Sequence, residues 1–159
     1  FIYMPTSGIV QGMRPLMSYN YGAKLKERMH QILKVSGLVI AAILGAGTLL
    51  FFIVPNVLLS LFNASSGMLE IGETGLRILS LSFIVSSFGV LMSGVFEALG
   101  LGKYSLIVSL LRQLLITVPL AYILLNIMGI EGIWLSFVIA EAIASIVAYI
   151  LYHKKFKTI

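Results

Sequence analysis

Four stretches of this sequence, residues 35–62, 75–101, 104–128 and 132–152, each offer the roughly 20 largely apolar residues that a helix needs to cross the hydrocarbon core of a bilayer. A chain built this way has few options. In lipid, every backbone N–H and C=O must find a partner within the segment, and these runs lack the strict alternation of a barrel strand. Helices are the only fit. A fifth stretch, residues 1–21, is interrupted by Pro5, Gln11, Arg14 and Pro15, so it is the least apolar of the five. The expected fold is an all-α integral membrane protein, a five-helix transmembrane bundle. Hydrophobic residues make up 59% of the 159 and charged residues only 11%, against about a quarter in soluble domains, so no soluble domain is expected.

Chemistry narrows further. The chain has no cysteine, which excludes disulfides and thiolate nucleophiles, and all six acidic residues are glutamate, which removes the usual ligands of metal cages and aspartyl sites. No metal and no cofactor is expected. The formal charge of +5 sits in short clusters between apolar runs, the pattern of residues that meet anionic lipid headgroups and not nucleic acid. The lipid bilayer is the expected partner. There is no signal-peptide pattern and no internal repeat; the sequence opens at Phe1 inside an apolar stretch, as a cut chain would.

Lys and Arg collect in cytoplasmic loops, and here they fall in alternate connections: Lys24, Lys26, Arg28 and Lys34 in one, Lys103 in another, Lys154, Lys155 and Lys157 in the tail. The other connections carry Glu70, Glu73 and Glu131 with Arg77 alone. The reading puts Phe1 near the outer face, the 24–34 region on the headgroups as a basic linker, and the C-terminus in the cytoplasm. Asn20-Tyr21-Gly22 reads as a helix stop, and Asn63-Ala64-Ser65-Ser66-Gly67 as a turn; the sequon at Asn63 is a three-residue match that chance also produces.

Polar residues at membrane depth are the candidate site. Gln11 and Arg14, next to the helix-weakening Pro15, are tolerated where a helix faces protein or a watery cavity, so they are candidates for a substrate path. Ser82, Ser86, Gly89, Ser93 and Glu97 recur at helical spacing; close packing accounts for such a face, and a substrate path is the functional alternative. Ser136, Ala140, Ala144 and Ala148 form a packing stripe, and Pro55 and Pro119 are expected to kink their helices. His30 and His153 flank the basic face with no second ligand at metal spacing. Arg112 lies about eight residues, or 12 Å, into its helix, a depth hard to leave unpaired unless the side chain snorkels to the headgroups. Glu141 is the preferred partner for an intramembrane charge pair, because it lies nearer the bilayer centre and needs a cation or a proton; Glu97 is the alternative.

The run Gly8-Ile9-Val10-Gln11-Gly12-Met13-Arg14-Pro15-Leu16-Met17-Ser18-Tyr19-Asn20-Tyr21-Gly22-Ala23 resembles the part of multidrug and toxic-compound extrusion (MATE) transporters that leads from the eighth helix into its cytoplasmic loop. Leu61-Phe62 with Leu76-Arg77-Ile78-Leu79 resembles the family's ninth-to-tenth helix junction, and Glu97-Ala98-Leu99-Gly100 with Lys103 resembles the end of its tenth. Arg112-Gln113 with Pro119-Leu120-Ala121-Tyr122 resembles its eleventh helix, and residues 129–134 the start of its twelfth. The resemblance implies an incomplete C-terminal lobe, helices eight to twelve, of a twelve-helix antiporter in the cell (inner) membrane. Its implied partners are the N-terminal lobe, a small organic cation, and a sodium ion or proton. No enzymatic role and no catalytic residue is implied.

Two departures stand out. Arg14 occupies a place where the family more often has glutamine, and Ser82 and Ser86 stand near where some members carry an acidic cation-binding residue. The second departure moves the expected coupling acid to the N-terminal lobe. A lipid-linked oligosaccharide flippase of the same superfamily, served by Arg14 and Arg112, is the alternative function. A small structural membrane protein and an intramembrane enzyme are the others; the enzyme is opposed by the absence of histidine from the spans.

Overall fold

The structure, a computed structural model, describes residues 2–61 and 65–156. Phe62, Asn63 and Ala64 near the turn, and Lys157 of the basic tail, lie outside the described residues. The chain forms α1 (Tyr3–Gly22), α2 (Lys26–Ile53), α3 (Pro55–Ser60), α4 (Ser66–Ala98), α5 (Gly102–Leu110), a π-helical turn (Leu111–Leu115), α6 (Thr117–Met128) and α7 (Ile130–Phe156), with no strand among the described residues. Among the described residues, four spans are long and apolar enough to cross a membrane: Lys26–Ile53, Gly67–Ala98, Gly102–Met128 and Ile130–Lys155. α1 falls short of that measure, for its polar residues, but packs against α2 and α4 as the fifth helix of the bundle.

Several boundaries differ from those expected. The basic region 24–34 is not a separate linker. From Lys26 onward it is the start of α2, because Met29 is fully buried and Ile32 and Leu33 pack on the core, giving those turns an apolar face of their own. Glu27 in the first turn suits the positive end of the helix dipole. Pro55 does more than kink a span over residues 35–62. It pushes Val54 out of the helical region (φ −124°, ψ 46°), ends α2 at Ile53 and becomes the first residue of α3. The third span starts at Ser66 and not near residue 75, and the last runs from Ile130 past residue 152 to Phe156.

α4 is the central helix, with α1, α2, α5 and α7 packed around it. Small residues permit the approach. A side chain at Gly94 would collide with Val10 of α1, one at Gly75 with the Trp134 ring of α7, and Ser136, Ala140, Ala144 and Ala148 are wholly buried. Between α2 and α4, the Thr48 hydroxyl donates to Ser80 O at 2.8 Å. α6 is peripheral, burying only Thr117, and Ile123, Ile127 and Leu114 lie exposed on that side as lipid-facing residues do.

The basic ends gather at one pole of the bundle. α1 closes there with Lys24 left-handed (φ 58°), Leu25 N–H donating to Asn20 O and Lys24 N–H to Tyr21 O, so the turn falls two residues past the expected Gly22 stop. α4 closes the same way through Gly100 (φ 72°). Lys155 lies 5.5 Å over the Tyr104 ring, which brings the end of α7 to the start of α5. At the other pole, Glu73 accepts from Arg77 (2.8 Å) and from Asn56 (3.0 Å), tying α3 to α4.

Candidate functional site

One side of the bundle carries two adjoining cavities, lined by α1, α4, α7 and the α5–α6 rod. The smaller, about 290 Å³, is lined by Ser7, Gln11, Arg14, Ser93, Ser109 and Arg112 among others. The larger, about 730 Å³, is faced by Tyr3, Ser82, Phe83, Gln113, Phe137 and Glu141 among others. Ser7, Val90 and Arg112 border both, so the Arg112 side chain stands at the junction.

Charges in the groove are matched. Arg112 Nε lies 3.4 Å from Glu141 Oε1, with the side chains only 20% and 14% exposed. Glu97 is engaged elsewhere: it forms an ion pair with Arg14, and its Oε1 accepts from Ser105 at 2.7 Å, so one carboxylate joins α1, α4 and α5. Both members of the Arg14 pair are more than a third exposed, which places them in a wetter setting than Arg112 and Glu141. Two buried polar atoms, Arg14 Nε and Glu141 Oε2, have no hydrogen-bond partner among the described residues.

The position of Arg112 follows from a local change of helix type. Pro119 has no N–H to offer Leu115 O, and its ring crowds that carbonyl. The helix widens just upstream, where Ile116 N–H donates to Leu111 O, five residues back. The Thr117 hydroxyl then reaches Arg112 O at 2.5 Å. This extra residue in the turn changes the direction in which the Arg112 side chain leaves the rod.

The candidate residues thus divide. Gln11, Arg14 and Ser93 line the smaller cavity and Ser82 the larger, whereas Ser86 is covered by α1, its Oγ 2.9 Å from the Tyr3 hydroxyl. Gly89 faces α7, where an added Cβ would stand 3.3 Å from Ser145 Oγ. Tyr3, Ser7 and Ser109 line the groove without having been singled out in the sequence, and Gln113, named there only within the family resemblance, joins them. A signal existed: Tyr3, Ser7, Gln11 and Arg14 recur at steps of four, four and three, a polar stripe on one helix face.

A family model described as MatE matches residues 1–123, from α1 into α6. This chain belongs to the MatE family. As a MatE chain with four helices apolar enough to span, it is a multi-pass membrane protein. It is similar to the Multidrug export protein MepA of Staphylococcus saprophyticus, 26% identical over 144 residues, 91% of this chain and 32% of that protein. The MepA of Staphylococcus aureus strain N315 is also 26% identical, over the same shares of both chains. Among solved structures, the MATE multidrug transporter DinF-BH is 31% identical with a TM-score of 0.88, over 97% of this chain and 34% of that one. An inward-facing MATE transporter of the MOP superfamily gives 0.92 at 22% identity over 99% of this chain and 37% of that one, a likeness of fold. The chain therefore spans about a third of the length of these MATE relatives. Glu141 and Phe137 lie beyond the residues matched by the MatE model.

Proposed function

We propose that this chain supplies helices eight to twelve of the C-terminal lobe of a cation-coupled multidrug antiporter. The whole protein exports small organic cations in exchange for sodium ions or protons, by rocking two lobes around a midplane site. It sits in the cell (inner) membrane with the C-terminus of this chain in the cytoplasm, in keeping with the gathering of Lys26, Arg28, Lys103 and Lys155 at one pole.

The observation that carries the reading is charge balance in the groove. Each of its two arginines stands against a glutamate, Arg14 with Glu97 and Arg112 with Glu141. A groove for an anionic lipid-linked sugar calls for free positive charge, and these arginines have spent theirs on neighbouring helices. The apolar and aromatic walls of the larger cavity suit a flat, lipophilic body. MatE membership, and the likeness to proteins named for multidrug export, support the same reading.

Ethidium efflux from cells that express the whole protein tests it. Efflux is expected to collapse when the sodium or proton gradient is dissipated, and which ionophore does so identifies the coupling ion. Dye retention equal to that of empty cells, with the protein present in the membrane, overturns the proposal.

A further inference from the structure

Arg112 and Glu141 are paired, but not in the way that makes such pairs strong. A guanidinium meets a carboxylate best through two parallel N–H bonds of about 2.7–2.9 Å, whereas here Nε approaches a single oxygen at 3.4 Å. The other oxygen, Oε2, is buried and has no hydrogen-bond partner among the described residues. A carboxylate lies at the wall of a 730 Å³ cavity with half of its accepting capacity unused. The same cavity is lined by the rings of Tyr3, Phe83 and Phe137, surfaces that attract both an apolar body and a cation.

The arginine has somewhere else to go. It also borders the smaller cavity, where Gln11, Ser93 and Ser109 offer oxygen acceptors for its N–H groups. Its backbone lies in the π turn, which is held by the Thr117 hydroxyl and bounded by Pro119. Two acceptor environments thus border one cation.

We propose that Glu141 is the recognition carboxylate for the charged head of an organic cation whose apolar body fills the larger cavity, and that Arg112 is its tethered competitor. Arg112 neutralises Glu141 while the cavity is empty and withdraws into the smaller cavity when the ligand arrives. This assignment rests on the reading of the whole protein as an exporter of organic cations. It gives Arg112 a role in specificity: a neutral molecule cannot displace it, and a cation must outbid it for the same oxygen atoms. A competitor that occupies the site nine-tenths of the time weakens apparent affinity about tenfold.

The test compares the binding of ethidium with that of an uncharged planar dye of similar size, by fluorescence anisotropy on the purified whole protein in lipid nanodiscs. Arg112→Gln is expected to bind ethidium about tenfold more tightly, with the uncharged dye unchanged. Glu141→Gln is expected to lose the preference for the charged dye. Ser109→Leu fills the retreat without touching the pair, and so is expected to weaken ethidium alone; it serves if Arg112→Gln does not fold. Unchanged or weaker ethidium binding by folded Arg112→Gln, or an unchanged ratio of the two dyes in Ser109→Leu, overturns the competitor role. Wild-type protein that exports ethidium yet binds both dyes equally overturns this assignment and leaves the exporter reading standing. Wild-type protein that neither binds nor exports ethidium overturns both.

Discussion

Gly132 shows how finely single residues set this bundle. A Cβ there would run into the backbone carbonyl of Leu124, which cannot move aside as a side-chain tip can. Gly132→Ala is therefore expected to cost about 1–3 kcal/mol, the range for overpacking, read as a lower melting temperature in detergent. Gly45→Ala, whose Cβ meets nothing within 4 Å, is expected to hold or raise that temperature. Equal melting of the two variants contradicts the close crossing of α6 and α7. Glu97→Gln makes the opposite point. It breaks the Arg14 pair, but both partners are more than a third exposed, so a loss of no more than about 1 kcal/mol is expected from melting curves. Gln11 and Arg14 were legible in the sequence as polar residues at membrane depth, and both line the smaller cavity. The partner of Arg112 was not fixed by depth: Glu141 and Glu97 were both within reach, and the direction in which Arg112 leaves its helix depends on a π turn that no residue pattern announces.

At the level of elements, Pro55 and Pro119 act on the turn before them, with different results. Pro55 follows Val54 and breaks the rod outright, since Val54 leaves the helical region. Pro119 follows a π turn that keeps the rod going through Ile116 into α6. A proline in a long apolar run could be read from sequence, but which outcome follows depends on whether neighbouring helices hold the far side in line. α6 is held against α7, whereas α3 swings onto α4. Pro119→Ala restores the N–H that Leu115 O lacks and favours regular α-helix through residues 111–115. Closing the turn from five-back to four-back hydrogen bonding rotates Arg112 by about 100° relative to α6. Ethidium efflux by the whole protein is expected to fall severalfold while detergent melting holds or rises. Efflux at the wild-type level would show that the π turn is dispensable. The start of α2 at Lys26 was hidden from hydropathy for a different reason. Its polar residues look outward, and only Met29 with its neighbours ties that turn to the core.

For the whole molecule, orientation is open to a direct experiment. The chain has no cysteine, so Ser66→Cys and Lys155→Cys, in a background without other cysteines, can be probed with an impermeant maleimide in intact cells. Labelling is expected at position 66 alone; labelling at 155 with protection at 66 inverts the proposed topology. The helical membrane bundle was legible from the apolar runs, because lipid leaves the backbone one solution. The groove was less so, since it is built from α1, α4, α7 and the π turn at once, and only their packing brings Arg112 beside Glu141. The length of α4 has a consequence beyond packing. Its 33 residues extend about 50 Å, against a hydrocarbon layer of about 30 Å. The helix at the centre of the bundle must therefore tilt, or stand proud of the lipid, and every helix packed on it shares that adjustment. Thinner bilayers demand more tilt from this axis and thicker ones less. Acyl-chain length thereby becomes a mechanical input to the angle at which the groove meets the rest of the protein.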